Sequence, residues 1–135
     1  MTASADHELG EYRDELADLI EWMDDDLDNN VAQPYKDQPL AQDWARVCKV
    51  QEEAGEAVDA LIGVTGQNPR KGKYGSELDL YDELCDTALT ALYALQHFTK
   101  QRDVTLDRLM YRARYHRERR QVQVATDTHG TASDG

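Results

Sequence analysis

The chain has 135 residues, enough for one domain with a modest core, and its 27 acidic against 15 basic residues give a formal charge of −12. That balance argues against nonspecific binding to nucleic acid or to an anionic membrane, so an anionic ligand would need metal ions between itself and the protein. No stretch reaches the about 18 apolar residues of a membrane span, and the start MTASADHELGEYRDE lacks the basic and apolar regions of a secretory signal, so a cytoplasmic location is expected.

In chain order, Leu9, Tyr12, Leu16, Leu19, Ile20, Met23 and Leu27 recur three and four apart and predict a first amphipathic helix. Residues 1 to 30 carry eleven Asp and Glu against the single base Arg13. A solvated face is the usual fate of such a run, and Asp24 within it is expected to be dispensable for chemistry. The stretch DNNVAQPYKDQP breaks the helix with two prolines and an Asn pair. A second helix is predicted from about Ala41 to Ile62, with Gly63 placed to end it.

GVTGQNPRKGKYGS reads as a loop, and Leu78 to about Lys100 as a third helix. Thr105 is a candidate cap for a fourth, arginine-rich helix with Leu106, Leu109, Met110 and Ala113 on one face. From Gln121 the segment QVQVATDTHGTASDG is small and polar and predicts a flexible tail over 121–135. The expected fold is therefore all-α, a single four-helix-bundle-type domain over 1–120. Apolar stripes on the second and third helices exceed the cover one small chain offers, so oligomerisation is expected to complete it. Cys48 and Cys85 are expected as reduced, packed thiols, and Trp22 and Trp44 as packing residues.

Within VQEEAGEAVDALIG, Glu52, Glu53 and Glu56 crowd together with no basic residue between them. Like charges at such spacings cost a helix a few tenths of a kcal/mol per pair, so the cluster is either a solvated face or a cation site. At about 100° per residue, Glu52 and Glu56 share a face with Lys49, Asp59 and the small residues Ala45, Cys48, Ala60 and Gly63, with Glu53 at its flank. Val47, Val50, Ala54, Val58 and Leu61 lie opposite. On the third helix Asp79, Glu83, Asp86, Thr90, Tyr93 and His97 form a stripe facing away from Leu84, Ala88, Leu92 and Leu95.

Antiparallel packing of the two helices would bring Glu52, Glu53, Glu56, Glu83 and Asp86 around one point. Oxygen-only donors suit Mg²⁺ or Mn²⁺, and the Glu-x-x-His pairs of a di-iron bundle are absent from the sequence. His97 lies too far along the stripe to be counted as a ligand; His7, His116 and His129 are expected at the surface.

EEAGE at Glu52 to Glu56 followed by ELCD at Glu83 to Asp86 resembles the MazG-like, all-α nucleoside triphosphate pyrophosphohydrolases, whose pattern is Glu-Glu-x-x-Glu and then Glu-x-x-Asp on the next helix. The resemblance covers roughly Ala41 to Leu95. It implies Mg²⁺-dependent cleavage between the α and β phosphates of a nucleoside triphosphate, giving a monophosphate and pyrophosphate. It further implies Glu53, Glu56, Glu83 and Asp86 as metal ligands, Glu52 as a second metal position or as the group orienting water, and a homodimer or homotetramer as the assembly. Lys49, Asn68, Arg70 and Lys71 are candidates to contact phosphate or base. Against this, Lys49 could simply pair with Glu52 or Glu53, and Arg70 and Lys71 could be solvated. Tyr93 is a candidate to stack on a nucleobase. The competing readings are an acidic helical interaction module and a catalytically inactive nucleotide-binding relative.

Overall fold

The computed structural model describes the backbone of residues 3–130 and the side chains of residues 7–124. It holds four α-helices: α1 Ala3–Asn29, α2 Pro39–Thr65, α3 Glu77–Thr99 and α4 Arg102–Gly130, with one 3-10 turn, Tyr35–Asp37, between α1 and α2. Among the described residues there is no strand, so the fold is all-α as the hydrophobic periodicity predicts. No helix among them is long and apolar enough to cross a membrane.

The helix ends differ from expectation for local reasons. α2 starts at Pro39 rather than Ala41, because a proline at the first helical position gives up an N–H that has no partner there anyway. It ends at Gly66, which takes the left-handed conformation (φ 69°) and donates its N–H to the Ile62 carbonyl at 2.9 Å. Gly63, expected as the terminus, is buried inside the helix. A Cβ there would meet the Tyr74 ring at 2.6 Å, and the Tyr74 N–H donates to its carbonyl at 3.0 Å. The glycine therefore serves close approach of the loop rather than helix termination.

α3 opens with a capping box: Ser76 Oγ accepts from the Asp79 N–H, and the Asp79 carboxylate accepts from the Ser76 N–H at 2.6 Å. α4 begins at Arg102, ahead of Thr105. Thr105 is fully buried and its hydroxyl donates to Gln96 Oε1 at 2.6 Å, so it ties α4 to α3 instead of capping. The helix continues past Gln121, where a flexible tail was expected, as far as Gly130; residues 131–135 lie outside the described residues.

α2 and α3 run antiparallel as a hairpin, and α1 and α4 pack against α3. Among the described residues the buried apolar side chains are few and mostly small: Ala17, Ile20, Ala57, Ala94 and Leu106. Small residues allow close helix approach, so the faces that carry Ala57, Gly63 and Ala94 turn inward while the bulky stripes stay out. Val47, Val58, Leu61 and Leu84 are exposed. Trp22 and Trp44, expected as packing residues, are 60% and 64% exposed, and the free thiols of Cys48 and Cys85 are exposed rather than packed.

The place of a larger core is taken by a polar network joining three helices. Asp24 of α1 is 3% exposed and lies against Arg46 of α2 (Oδ1 to Nη2, 3.5 Å) and Lys100 just beyond α3 (Oδ2 to Nζ, 2.9 Å). Arg46 donates to the Asp24 carbonyl at 3.1 Å and to Asp28 Oδ1 at 2.6 Å. His97 is buried as well, with Nε2 2.7 Å from Asp43 Oδ1. Asp24 is thus no solvated member of an acidic run. It helps hold the bundle together, a role that the charge pattern of α1 alone conceals.

Candidate functional site

The α2–α3 hairpin positions the acidic cluster. Carboxylate oxygens of Glu53, Glu56 and Glu83 all lie within 4.8 Å of one another, which joins the EEAGE and ELCD segments across the hairpin as their spacing predicts. Asp86 stands outside this triad but lines, with Glu53, an adjoining cavity of about 280 Å³. Burial pushes the Glu83 carboxyl above its usual range, and the nearby Glu56, Asp86, Glu53 and Asp82 charges add to that. Ionising all of them at once is unfavourable, and a hard divalent cation takes all-oxygen donor sets of this kind.

Lys49 answers part of that charge from within the same helix. Its Nζ is 2.8 Å from Glu53 Oε1 and 3.1 Å from Glu52 Oε1. The bond to Glu53, then that to Glu52, raises the affinity of Lys49 for its proton. Glu53 has only 12% of its side chain exposed, whereas Glu52 has 59%, so Glu52 sits at the rim of the cluster.

Two cavities adjoin Lys49, and Glu53 lines the first of them. The first, bounded by Lys49, Asp86, Thr90 and Tyr93, has an apolar side from Met23 and Leu27 of α1. Burial, and secondarily the Asp86 charge, raises the Tyr93 phenol above its ordinary range. The second, about 410 Å³, lies beyond Lys49 and Arg46 and is lined by Leu27, Val31, Tyr35 and Ala45. Charged and apolar compartments therefore share one wall made by Leu27, Arg46 and Lys49.

The loop residues stand on the other side. A third cavity, about 360 Å³, touches Glu56, Glu83, Asp59 and Tyr74. Tyr74 Oη donates to Asp59 Oδ1 at 2.8 Å, and Lys71 Nζ lies 5.2 Å from the centre of the Tyr74 ring and 4.0 Å from Asp59 Oδ1. Asn68 Oδ1 accepts from the backbone N–H of Arg70 (3.1 Å) and Lys71 (3.4 Å), so that side chain closes the loop. Asn68, Arg70 and Lys71 line none of these three cavities.

The polar network around Asp24 adds residues that the sequence reading passed over. Asp24, Asp28 and His97 also bring three donor atoms together, but Arg46 and Lys100 already occupy that space. Its signals are present in the sequence, Asp24 and Asp28 one turn apart and His97 on the α3 stripe, yet the partners that bury them lie on other helices. Arg46 matters most of these because it reaches the cavity wall. No protein-family model, curated protein or solved structure matches the chain.

Proposed function

We propose that the chain is a Mg²⁺-dependent nucleoside triphosphate pyrophosphohydrolase that cleaves between the α and β phosphates. The observation that carries this reading is the convergence of Glu53, Glu56 and Glu83 from two helices beside a cleft that also holds Asp86, Lys49 and Tyr93. The resemblance of EEAGE and ELCD to the MazG-like family, carried by the same carboxylates, points the same way. Glu53, Glu56, Glu83 and Asp86 would hold Mg²⁺, with Mn²⁺ as a substitute. When bound, the ion supplies charge neutralisation for the triphosphate and acidifies water at neutral pH.

The protein groups divide the remaining work. Glu52, at the rim, orients the attacking water and accepts its proton. The new bond joins water oxygen to the α-phosphorus, and the bond from that phosphorus to the bridging oxygen breaks, so the electron pair leaves with pyrophosphate. Lys49 contacts the phosphate chain, Lys71 approaches it from beside Tyr74 and Asp59, which line the third cavity, and Tyr93 offers a face to the nucleobase. Arg70 and Asn68 are proposed only as loop residues that set where Lys71 stands.

The acting form is a homodimer or homotetramer. Val47, Val58, Leu61 and Leu84 form exposed apolar stripes on α2 and α3, and a second copy would cover them. The test of the function is incubation with a panel of nucleoside triphosphates and Mg²⁺, scored for monophosphate and pyrophosphate. Release of inorganic phosphate as the first product would point to other chemistry, and no turnover of any nucleotide would favour a binding module.

A further inference from the structure

Lys49 occupies an unusual position relative to the carboxylates. It reaches Glu53, a largely buried acid, while 47% of its own side chain stays exposed, and it lines both the cavity beside Asp86 and the one beyond Arg46. Its ammonium therefore stands at a boundary between the cluster and the cleft. An ammonium in contact with Glu53 and a divalent cation on the same carboxylate repel each other at short range. The lysine stem is long and rotatable, so the conflict can be relieved by a change of rotamer with α2 left intact.

We propose that Lys49 is a displaceable counter-ion of the cluster: it neutralises Glu53 and Glu52 when no divalent cation is bound, and turns to the phosphate chain in the adjoining cavity when one is. This rests on the reading of Glu53, Glu56 and Glu83 as a metal site. It assigns one residue two effects of opposite sign. Lys49 competes with the metal for Glu53, so it weakens metal binding; once released, it strengthens binding of the metal–triphosphate complex. A lysine that merely pairs with Glu53 has only the first effect, and a lysine dedicated to phosphate has only the second.

The experiment is isothermal titration calorimetry in two stages, with folding of each variant checked by circular dichroism. Mn²⁺ is titrated first into nucleotide-free wild type, Lys49→Met and Lys73→Met; a non-hydrolysable triphosphate is then titrated in excess Mg²⁺. Lys73 is the charge-matched control, since it lies in the loop and bounds none of the three cavities. Lys49→Met should bind Mn²⁺ about threefold to fivefold tighter, the upper part of the range for exposed ion pairs, because Glu53 is largely buried. It should bind the triphosphate about tenfold or more weakly, as expected for loss of a charge-assisted hydrogen bond. Lys73→Met should stay within about twofold of wild type in both stages. Lys49→Gln repeats the measurement should the Met variant fold poorly. Unchanged or weaker Mn²⁺ binding by the Lys49 variants overturns the counter-ion role while leaving the metal site standing. If wild type takes up no Mn²⁺, the metal reading falls and this inference with it.

Discussion

Nε2 of His97 lies 2.7 Å from Oδ1 of Asp43, which fastens the last turn of α3 to the start of α2. The other ring nitrogen, Nδ1, lies 3.3 Å from Lys100 Nζ and 3.6 Å from Asp24 Oδ1, so the ring is held between α1, α2 and the residue that follows α3. Around this pair the buried Asp24 and Arg46 close the network, and Asp24 Oδ1 is a buried oxygen without a hydrogen-bond partner. Removing one member of a buried ion pair strands the other. Asp24→Asn should therefore cost on the order of 3 kcal/mol, read from urea unfolding. Asp25→Asn, at an exposed position of the same acidic run, should stay within about 0.5 kcal/mol. Equal midpoints for the two variants would show that the network carries no stability.

Acid should act on the network through Asp28. Burial pushes its carboxyl upward, but the hydrogen bonds from Arg46 and Lys100 outweigh burial and hold it below the usual range. A depressed folded value means stability that is present above the unfolded value of about 3.9 and is lost as pH falls through the folded value. Thermal melts taken from about pH 5 downward should fall less steeply for Asp28→Asn than for wild type. Parallel curves would contradict the assignment.

Glu83 should show the opposite sign. Its raised range, caused first by burial and then by the surrounding carboxylates, means stability that is full below about pH 4.3 and is lost as pH rises through the folded value. At neutral pH without metal, Glu83→Gln should melt higher than wild type. Mg²⁺ should raise the melting temperature of wild type, since a ligand of the folded state stabilises it, and should raise that of the variant less. A variant that melts lower in EDTA and gains as much from Mg²⁺ would separate Glu83 from the cluster.

The exposed stripes on α2 and α3 predict the assembly. Wild type should sediment as a dimer or larger at micromolar concentration, and Leu61→Asp or Val58→Asp should shift it toward monomer by placing charges on the apolar surface. A monodisperse wild-type monomer with full activity would remove the need for a partner subunit.

Much of this arrangement was legible because it depends on periodicity. The 3.6-residue pattern and the breakers placed α2 and α3, and the antiparallel hairpin then brings Glu53 and Glu56 to Glu83. What escaped depends on distance between helices. Thr105 looked like a cap because caps are local, yet its partner Gln96 lies on another helix. Gly63 looked like a stop because nothing in its own helix reveals that Tyr74 would close over it. An aromatic on a helix is more often a core residue, yet Trp22 and Trp44 are exposed here because close packing of small residues decides which faces meet. Asp24 and His97 are hidden for the same reason, since a buried polar group looks like any other until its partners from other helices are in place.

The central claim is tested most directly by pyrophosphate release from a nucleoside triphosphate with Mg²⁺, measured for wild type, Glu53→Gln, Asp86→Asn and the exposed control Asp25→Asn, with circular dichroism to confirm folding. The two site variants keep side-chain volume while removing a charge from the cluster or its cavity. Changes to groups that merely support metal ligands typically cost 10- to 100-fold, so these should lower turnover by about 100-fold or more. Asp25→Asn should retain wild-type turnover. Folded variants with equal activity at all three positions, or a wild type that releases no pyrophosphate from any nucleotide, would contradict the proposed site.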